Sequence, residues 1–453
     1  MSVCQFQAVK VNDMRDLMIF GITLILLFMS LRNGFVAYVL WGWAGLASVG
    51  SYLYGFMASF EIVQLFAIIA IIHFFLINKD PDRVPFKPNR TSILFVLLAL
   101  QILLSTTFAY PGHPRNWEFA TNMFKTIGFC MLMPLLVTSR LRIHAFVLMI
   151  AIATGFHGIV DGLKFIASAG GHMARGIPKF GDNNSFALAL IMAIPLNIYA
   201  YRYSANRLVR LAFLVVIPLL VLTVVSTQSR GGWASLIVVA LWFILTSRKK
   251  VAGLIGIALC AFLVFQLAPE HWLARMDTIG SAEGDSSFLQ RLGAWRVNSA
   301  IAIANPLLGG GIHSSEIGAV WEKFRDAPNL LGFLSNPDMN GLPGKGRAAH
   351  SIYFEIMGDL GFLGFFIFVA LIINALKTSR EITQISKSAG MKLEWARYLS
   401  EMLIISVIAY SFGGLLLSVA YFEFSYIIFM LLEVLKIHVK SQNIDHKLPL
   451  KYS

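Results

Sequence analysis

Apolar residues run along most of this chain in long unbroken stretches. They fall at about 17–31, 34–50, 62–78, 91–109, 122–137, 143–168, 184–201, 210–226, 231–246, 250–267, 351–376, 402–418 and 424–437. A helix crossing a bilayer needs about 20 such residues, within a range near 17–25. A membrane β-barrel would show short alternating segments instead. The pattern predicts an all-α polytopic membrane protein with about 12–13 transmembrane helices. The first two runs are short and separated by Arg32-Asn33, so a tight hairpin or one irregular element is expected there.

One interruption is different in kind. Residues 268–349 are rich in Gly, Pro, Asn and charge. Loops of this length in a compact protein are usually functional. The expected organisation is N-terminal transmembrane helices over 1–267, a large periplasmic loop over 268–349, C-terminal transmembrane helices over 350–437 and a cytoplasmic tail over 438–453. Pro111-Gly112-His113-Pro114 marks a further outside turn. Met14-Arg15-Asp16-Leu17 reads as a natural start preceded by a short extension, and no cleavable signal peptide is recognisable.

Composition agrees. Of 453 residues, 57% are hydrophobic and 13% charged, with a mean hydropathy of +0.70. A soluble domain carries about 25% charged residues. This excludes a disordered chain and argues strongly against a soluble enzyme. The net charge of +13 is a matter of topology, not of nucleic-acid binding. Loops near 79–90, 140–142, 202–210, 248–250 and 377–397, with the tail from 436, hold 21 Lys and Arg. The alternate short loops hold 4. Basic loops stay in the cytoplasm, so 268–349 is expected outside. Cys4, Cys130 and Cys260 form no disulfide framework.

Chemistry in such a protein is carried by polar residues out of place. Asp161 and Lys164 lie one turn apart and read as an ion pair. Lys125 and Glu433 read as snorkelling side chains. No metal-ligand spacing and no Walker loop occurs, so neither metal nor cofactor is expected. Three features gather at the outer helix ends. Arg230 stands in Ser229-Arg230-Gly231-Gly232. Arg291 and Arg296 flank Trp295, and their spacing of five does not share one helix face. His350 precedes a span, where it could cap the helix, hold a lipid headgroup or act as a base.

His350-Ser351, nine residues, then Gly361-Phe362-Leu363-Gly364 resembles the His-[Asn/Ser/Gln]-x9-Gly-x-x-[Gly/Thr/Tyr] pattern of the protein O-oligosaccharyltransferases in the O-antigen ligase/polymerase superfamily. Ser229-Arg230-Gly231, Arg291 to Trp295, and Asn305-Pro306-Leu307-Leu308-Gly309-Gly310-Gly311 support it. The stretch from Met14 through Asp182-Asn183-Asn184 is similar to a subgroup of O-glycosylation ligases.

The resemblance implies a metal-independent, inverting transferase in the bacterial cytoplasmic membrane, with its active site on the periplasmic side. Its donor would be a polyprenyl-diphosphate-linked glycan, and its acceptor a Ser or Thr of an exported protein such as a pilin. His350 would be the general base. Arg230 and Arg291, with Arg296 as a weaker candidate, would grip the diphosphate. An O-antigen polymerase or a ligase to lipid A core would share this machinery. A secondary transporter or flippase is the rival from another class. It would place ionisable groups at mid-membrane rather than at one face.

Overall fold

The computed structural model describes residues 3–53, 55–77, 85, 87–110, 115–176, 180–246, 255, 258, 262, 286–333 and 345–447. Among these every regular element is helical. The α-helices are α1 Val3–Arg32, α2 Gly34–Leu46, α3 Ile62–Ile72, α4 Arg90–Thr107, α5 Asn116–Leu136, α6 Arg140–Ala167, α7 Asn183–Tyr203 and α8 Arg207–Ser226. They continue with α9 Arg230–Thr246, α10 Ser286–Ala304, α11 Gly318–Phe324, α12 Ile352–Ser388, α13 Glu394–Gly413 and α14 Glu423–Lys447.

The protein is an all-α polytopic membrane protein. Among the described residues seven helices are long and apolar enough to cross a membrane: α4, α5, α6, α7, α8, α12, and α13 with its flanking turns. The expected 12–13 refers to the whole chain, part of which lies outside the described residues. α2, α3 and α9 follow apolar runs as shorter helices. The run at 250–267 lies almost wholly outside the described residues, as does the turn at 111–114. Asn33 separates α1 from α2 and caps the latter, accepting from the backbone N–H groups of Phe35 and Val36.

α7 lies at the centre, with α6, α8, α9 and α13 around it. Tyr38, Phe129 and Phe146 stack in the neighbouring core. At one end of the bundle basic residues meet carboxylates: Arg202 pairs with Glu394, and Lys440 with Glu381. There Glu433 is buried, contrary to a snorkelling role. It accepts from Lys436 and from Thr91, and Asn374 donates to Thr91. Three helices are tied by a network that leaves none of these groups unpartnered.

The opposite end is built around a break. Gly361, inside α12, has φ 70° and ψ −175°, a conformation confined almost entirely to glycine. The break frees main-chain groups in the helix. Gly310 N–H donates to the Gly358 carbonyl and Gly311 N–H to that of Asp359. Gln101 reaches the Leu360 carbonyl, Ser105 that of Asp359, and Phe362 N–H donates to Pro306. A broken helix is tolerated in a membrane protein when its freed groups find partners in this way. The glycines have a steric reason too. A Cβ on Gly309 would strike the Asp359 carbonyl, and one on Gly361 would lie 2.7 Å from the Pro306 oxygen. The loop after α10 is thus seated in the kink of α12.

Candidate functional site

At this same end, α7, α9 and α12 begin and α13 ends. Gly232 in α9 allows close approach to Ala187 in α7, and Gly414 allows it to Ile352 in α12. A crevice of about 480 Å³ opens between α9, α10, α12 and α13. Its walls are mostly apolar and include Gly231, Trp295, Ser351, Phe354 and Phe412. Trp295 stacks on Phe354, with ring centres 5.2 Å apart. Three of these wall residues are chain neighbours of Arg230, Arg296 and His350.

His350 precedes the crevice wall. The N-cap residue of α12 is Ser351, so His350 is not a cap. Its backbone is held in a left-handed conformation, φ 48°, and its N–H donates to the Ser418 hydroxyl at 2.6 Å. Left-handed backbone at a non-glycine residue persists only where the surroundings fix it. The side chain is exposed yet ringed by charge. Partial desolvation and the Arg291 guanidinium lower its pKa below the usual histidine value. Asp182 and Glu316 oppose this, and Arg347 adds to it.

The arginines separate by environment. Arg230 is the exposed first residue of α9, just after Ser229, whose hydroxyl accepts from Gly232 N–H. Arg291 is half-buried on α10, and its charge reaches His350. Arg296 is buried, at 4% exposure. The five-residue spacing thus places the two arginines of α10 in different surroundings.

Behind His350 lies a cluster of two carboxylates, expected from the sequence to serve packing or pairing, and a histidine the sequence does not single out. Glu355 and Asp359, one helical turn apart on α12, are 3% and 1% exposed. His313 reaches them from the loop. Its Nδ1 is 3.1 Å from Glu316 and 3.7 Å from Glu355. Burial pulls the His313 pKa down, but the surrounding carboxylates outweigh it and raise it to about 9. Glu355 accepts from Ala420 N–H, and Tyr421 donates to Asp359. The donor atoms of His313, Glu355 and Asp359 lie within 4.8 Å of one another, close enough in principle to share a metal ion. In the structure the imidazole is paired with the Glu316 and Glu355 carboxylates.

Asp182 and Arg347 were also not assigned to the site from the sequence. The only sequence signal for His313 was its place directly after Gly309-Gly310-Gly311-Ile312. Away from the site, Asp161 binds both Lys164 and His172, as an ion-pair reading requires.

Comparison with known proteins divides the chain in two. Residues 213–369 match the O-antigen ligase family. Residues 14–205 match a family of unknown function, DUF5935. An O-antigen ligase from Salmonella typhimurium is 24% identical over 280 residues, or 58% of this chain. The chain spans 65% of that relative's length.

Proposed function

We propose that this chain, whose residues 213–369 match the O-antigen ligase family, transfers a glycan from a polyprenyl-diphosphate carrier to a hydroxyl acceptor, a Ser or Thr of an exported protein such as a pilin. The observation that carries this is the apolar crevice bordered by the Arg230, Trp295 and His350 segments. A lipid-linked donor has an apolar tail, a charged diphosphate and a polar sugar. The crevice, the arginines and the exposed imidazole offer each part a matching surface.

In this reading the neutral His350 imidazole takes the acceptor proton as the hydroxyl oxygen attacks the anomeric carbon. The bond from that carbon to the diphosphate oxygen breaks, and polyprenyl diphosphate leaves from the opposite side. The configuration inverts. A lowered pKa keeps the imidazole neutral at ordinary pH, as a base must be. Arg230 and Arg291 receive the charge that builds on the leaving oxygen. Guanidinium suits this because its fork binds phosphate through two donors and stays charged. The donor supplies the energy, so no nucleotide is needed. The active site then faces the periplasm, in the bacterial cytoplasmic membrane.

Lipid A core as acceptor fits the same machinery, and the Salmonella relative is named an O-antigen ligase. Intact masses of exported proteins, pilins first, from cells with and without the gene test the protein acceptor. A hexose-scale mass loss in the deletion supports it. Unchanged protein masses together with altered lipopolysaccharide banding would replace it with the lipid acceptor.

A further inference from the structure

The segment Asp182-Asn183 belongs to the part of the chain matched by a family of unknown function, yet it lies against the site built by the other part. Asn183 donates from its side-chain amide to the Thr227 carbonyl at 2.8 Å. Thr227 opens the turn that delivers Arg230. In that turn Gln228 is left-handed, with φ 55°, the Thr227 hydroxyl accepts from Ser229 N–H, and Ser229 caps α9. A turn held in an uncommon conformation needs such fixings. Asn183 helps to hold it from α7. Gly232 against Ala187 adds a close main-chain approach between the same two helices.

Asp182 stands beside it as the N-cap of α7, accepting from Ser185 N–H at 2.8 Å and from Asn184 at 3.0 Å. Two residues earlier, Phe180 meets Phe422 edge-on, with centroids 5.9 Å apart. Phe422 closes the 417–422 turn, and Ser418 in that turn holds the His350 backbone. The α7 N-terminus therefore borders both segments that carry the proposed chemistry.

We propose that Asp182 and Asn183 are positioning residues of the transferase site. Asn183 fixes the turn that presents Arg230 to the diphosphate, and Asp182 turns a carboxylate toward His350. The region of unknown function thereby completes the site, and neither half of the chain forms it alone. This rests on the reading of His350 as base and Arg230 as diphosphate ligand. The charges facing His350 from the packed elements are Arg291 on α10, Glu316 and Arg347 in the loop, and Asp182 on α7. Asp182 is the acid contributed from outside the ligase-matched region. Its influence is mutual, since His350 helps hold the Asp182 carboxyl below its ordinary value, alongside the hydrogen bonds that do so against burial.

The test uses the purified full-length protein and two probes. Acylation of His350 by diethyl pyrocarbonate, read by peptide mass spectrometry across pH, gives the imidazole's titration midpoint directly. Asp182→Asn preserves the cap, because Asn caps as well as Asp, but removes the charge. The midpoint should fall by about 1, the low end of what a nearby charge does. A purely structural cap predicts the same midpoint as wild type, and that result overturns the Asp182 assignment.

The second probe is farnesyl diphosphate. Asn183→Ala should weaken its binding about tenfold, and the loss should not add to that of Arg230→Ala, as expected for residues acting through one another. Asn183→Asp, which loses the donor without leaving a hole, repeats the measurement if the alanine variant unfolds. Wild-type binding in a folded Asn183 variant, or fully additive losses, overturns the Asn183 assignment. Should Arg230→Ala itself bind normally, or His350→Asn retain transfer, the underlying reading of the site is what fails.

Discussion

At the scale of single residues, His350 poses a sharp alternative. Because Ser351 is the cap residue, helix capping no longer competes with catalysis as an explanation. Headgroup anchoring does, and it predicts that a polar replacement works. His350→Asn should lower transfer by roughly 10²–10⁴-fold, the usual worth of general-base help, with normal insertion. Glycoform mass spectrometry on the acceptor would read this, and wild-type glycosylation would sink the assignment. The lowered pKa has a direct consequence. The base is active when deprotonated, so kcat/KM should fall only as pH drops below the ordinary histidine range. An acid limb centred at or above 6.5 would contradict it.

The arginines allow a second residue-scale prediction. Arg230→Lys and Arg291→Lys should each recover little of the activity lost on substitution by Ala, since an ammonium cannot reproduce a two-donor fork. Arg296→Lys belongs to a different class. Arg296 is buried, so its replacement should show first as lost stability, read by thermal unfolding in detergent.

At the scale of elements, the kink of α12 explains residues that the sequence could mark but not interpret. Gly361 and Gly364 stand out there only as positions in a motif. In the structure Gly361 is the break itself, and the Pro306 to Gly311 loop fills the kink. No periodicity argument could find this, because the two segments are some fifty residues apart and meet through main-chain atoms. Gly361→Ala should cost about 1–3 kcal/mol from backbone strain alone. A lowered melting temperature with unchanged KM in the surviving protein would bear this out, and wild-type stability would contradict it.

The His313 cluster was illegible for a related reason. Glu355 and Asp359 were visible as carboxylates one turn apart, but their partner comes from a loop whose path is not written in local sequence. Its pH behaviour follows from the sign of the shift. In the folded protein His313 titrates near 9, against 6.5 for a free imidazole. Its contribution is therefore complete below about pH 6.5 and is lost as pH rises toward 9. The size is at most about 3.4 kcal/mol. Thermal unfolding between pH 6 and 9.5 should decline more steeply in wild type than in His313→Gln. Parallel curves would remove the ion pair from the stability account.

At the scale of the whole molecule, the helical class was written plainly in the long apolar runs. Helix ends were less plain: α2, α3 and α9 are shorter than the other apolar helices, and hydropathy alone does not reveal where a helix stops. Arg230 and His350 stood out in the sequence because both sit at junctions between apolar and polar stretches. Asp182 did not, since its relation to His350 depends on how two distant halves of the chain pack. Orientation remains a matter of charge asymmetry. Single cysteines replacing Asp326 and Ser388, both exposed, in a background lacking Cys4 and Cys260, should label from opposite sides with a membrane-impermeant maleimide. Labelling of both from one side would refute the proposed topology.

The seating of the Pro306–Gly311 loop in the broken helix has a bearing on how such a protein could change. The loop is fastened at its root through backbone N–H and carbonyl groups and through residues without side chains. The stretch beyond His313 is fastened by other means: Val320, Trp321 and Phe324 of α11 pack on Ala294, Val297 and Ile301 of α10, and Leu330 N–H donates to the Ser299 hydroxyl. The root is thus held by main-chain atoms and the outer stretch by side chains. Substitutions at Val320, Trp321 or Phe324 should loosen α11 from α10 while leaving the grip on α12 intact.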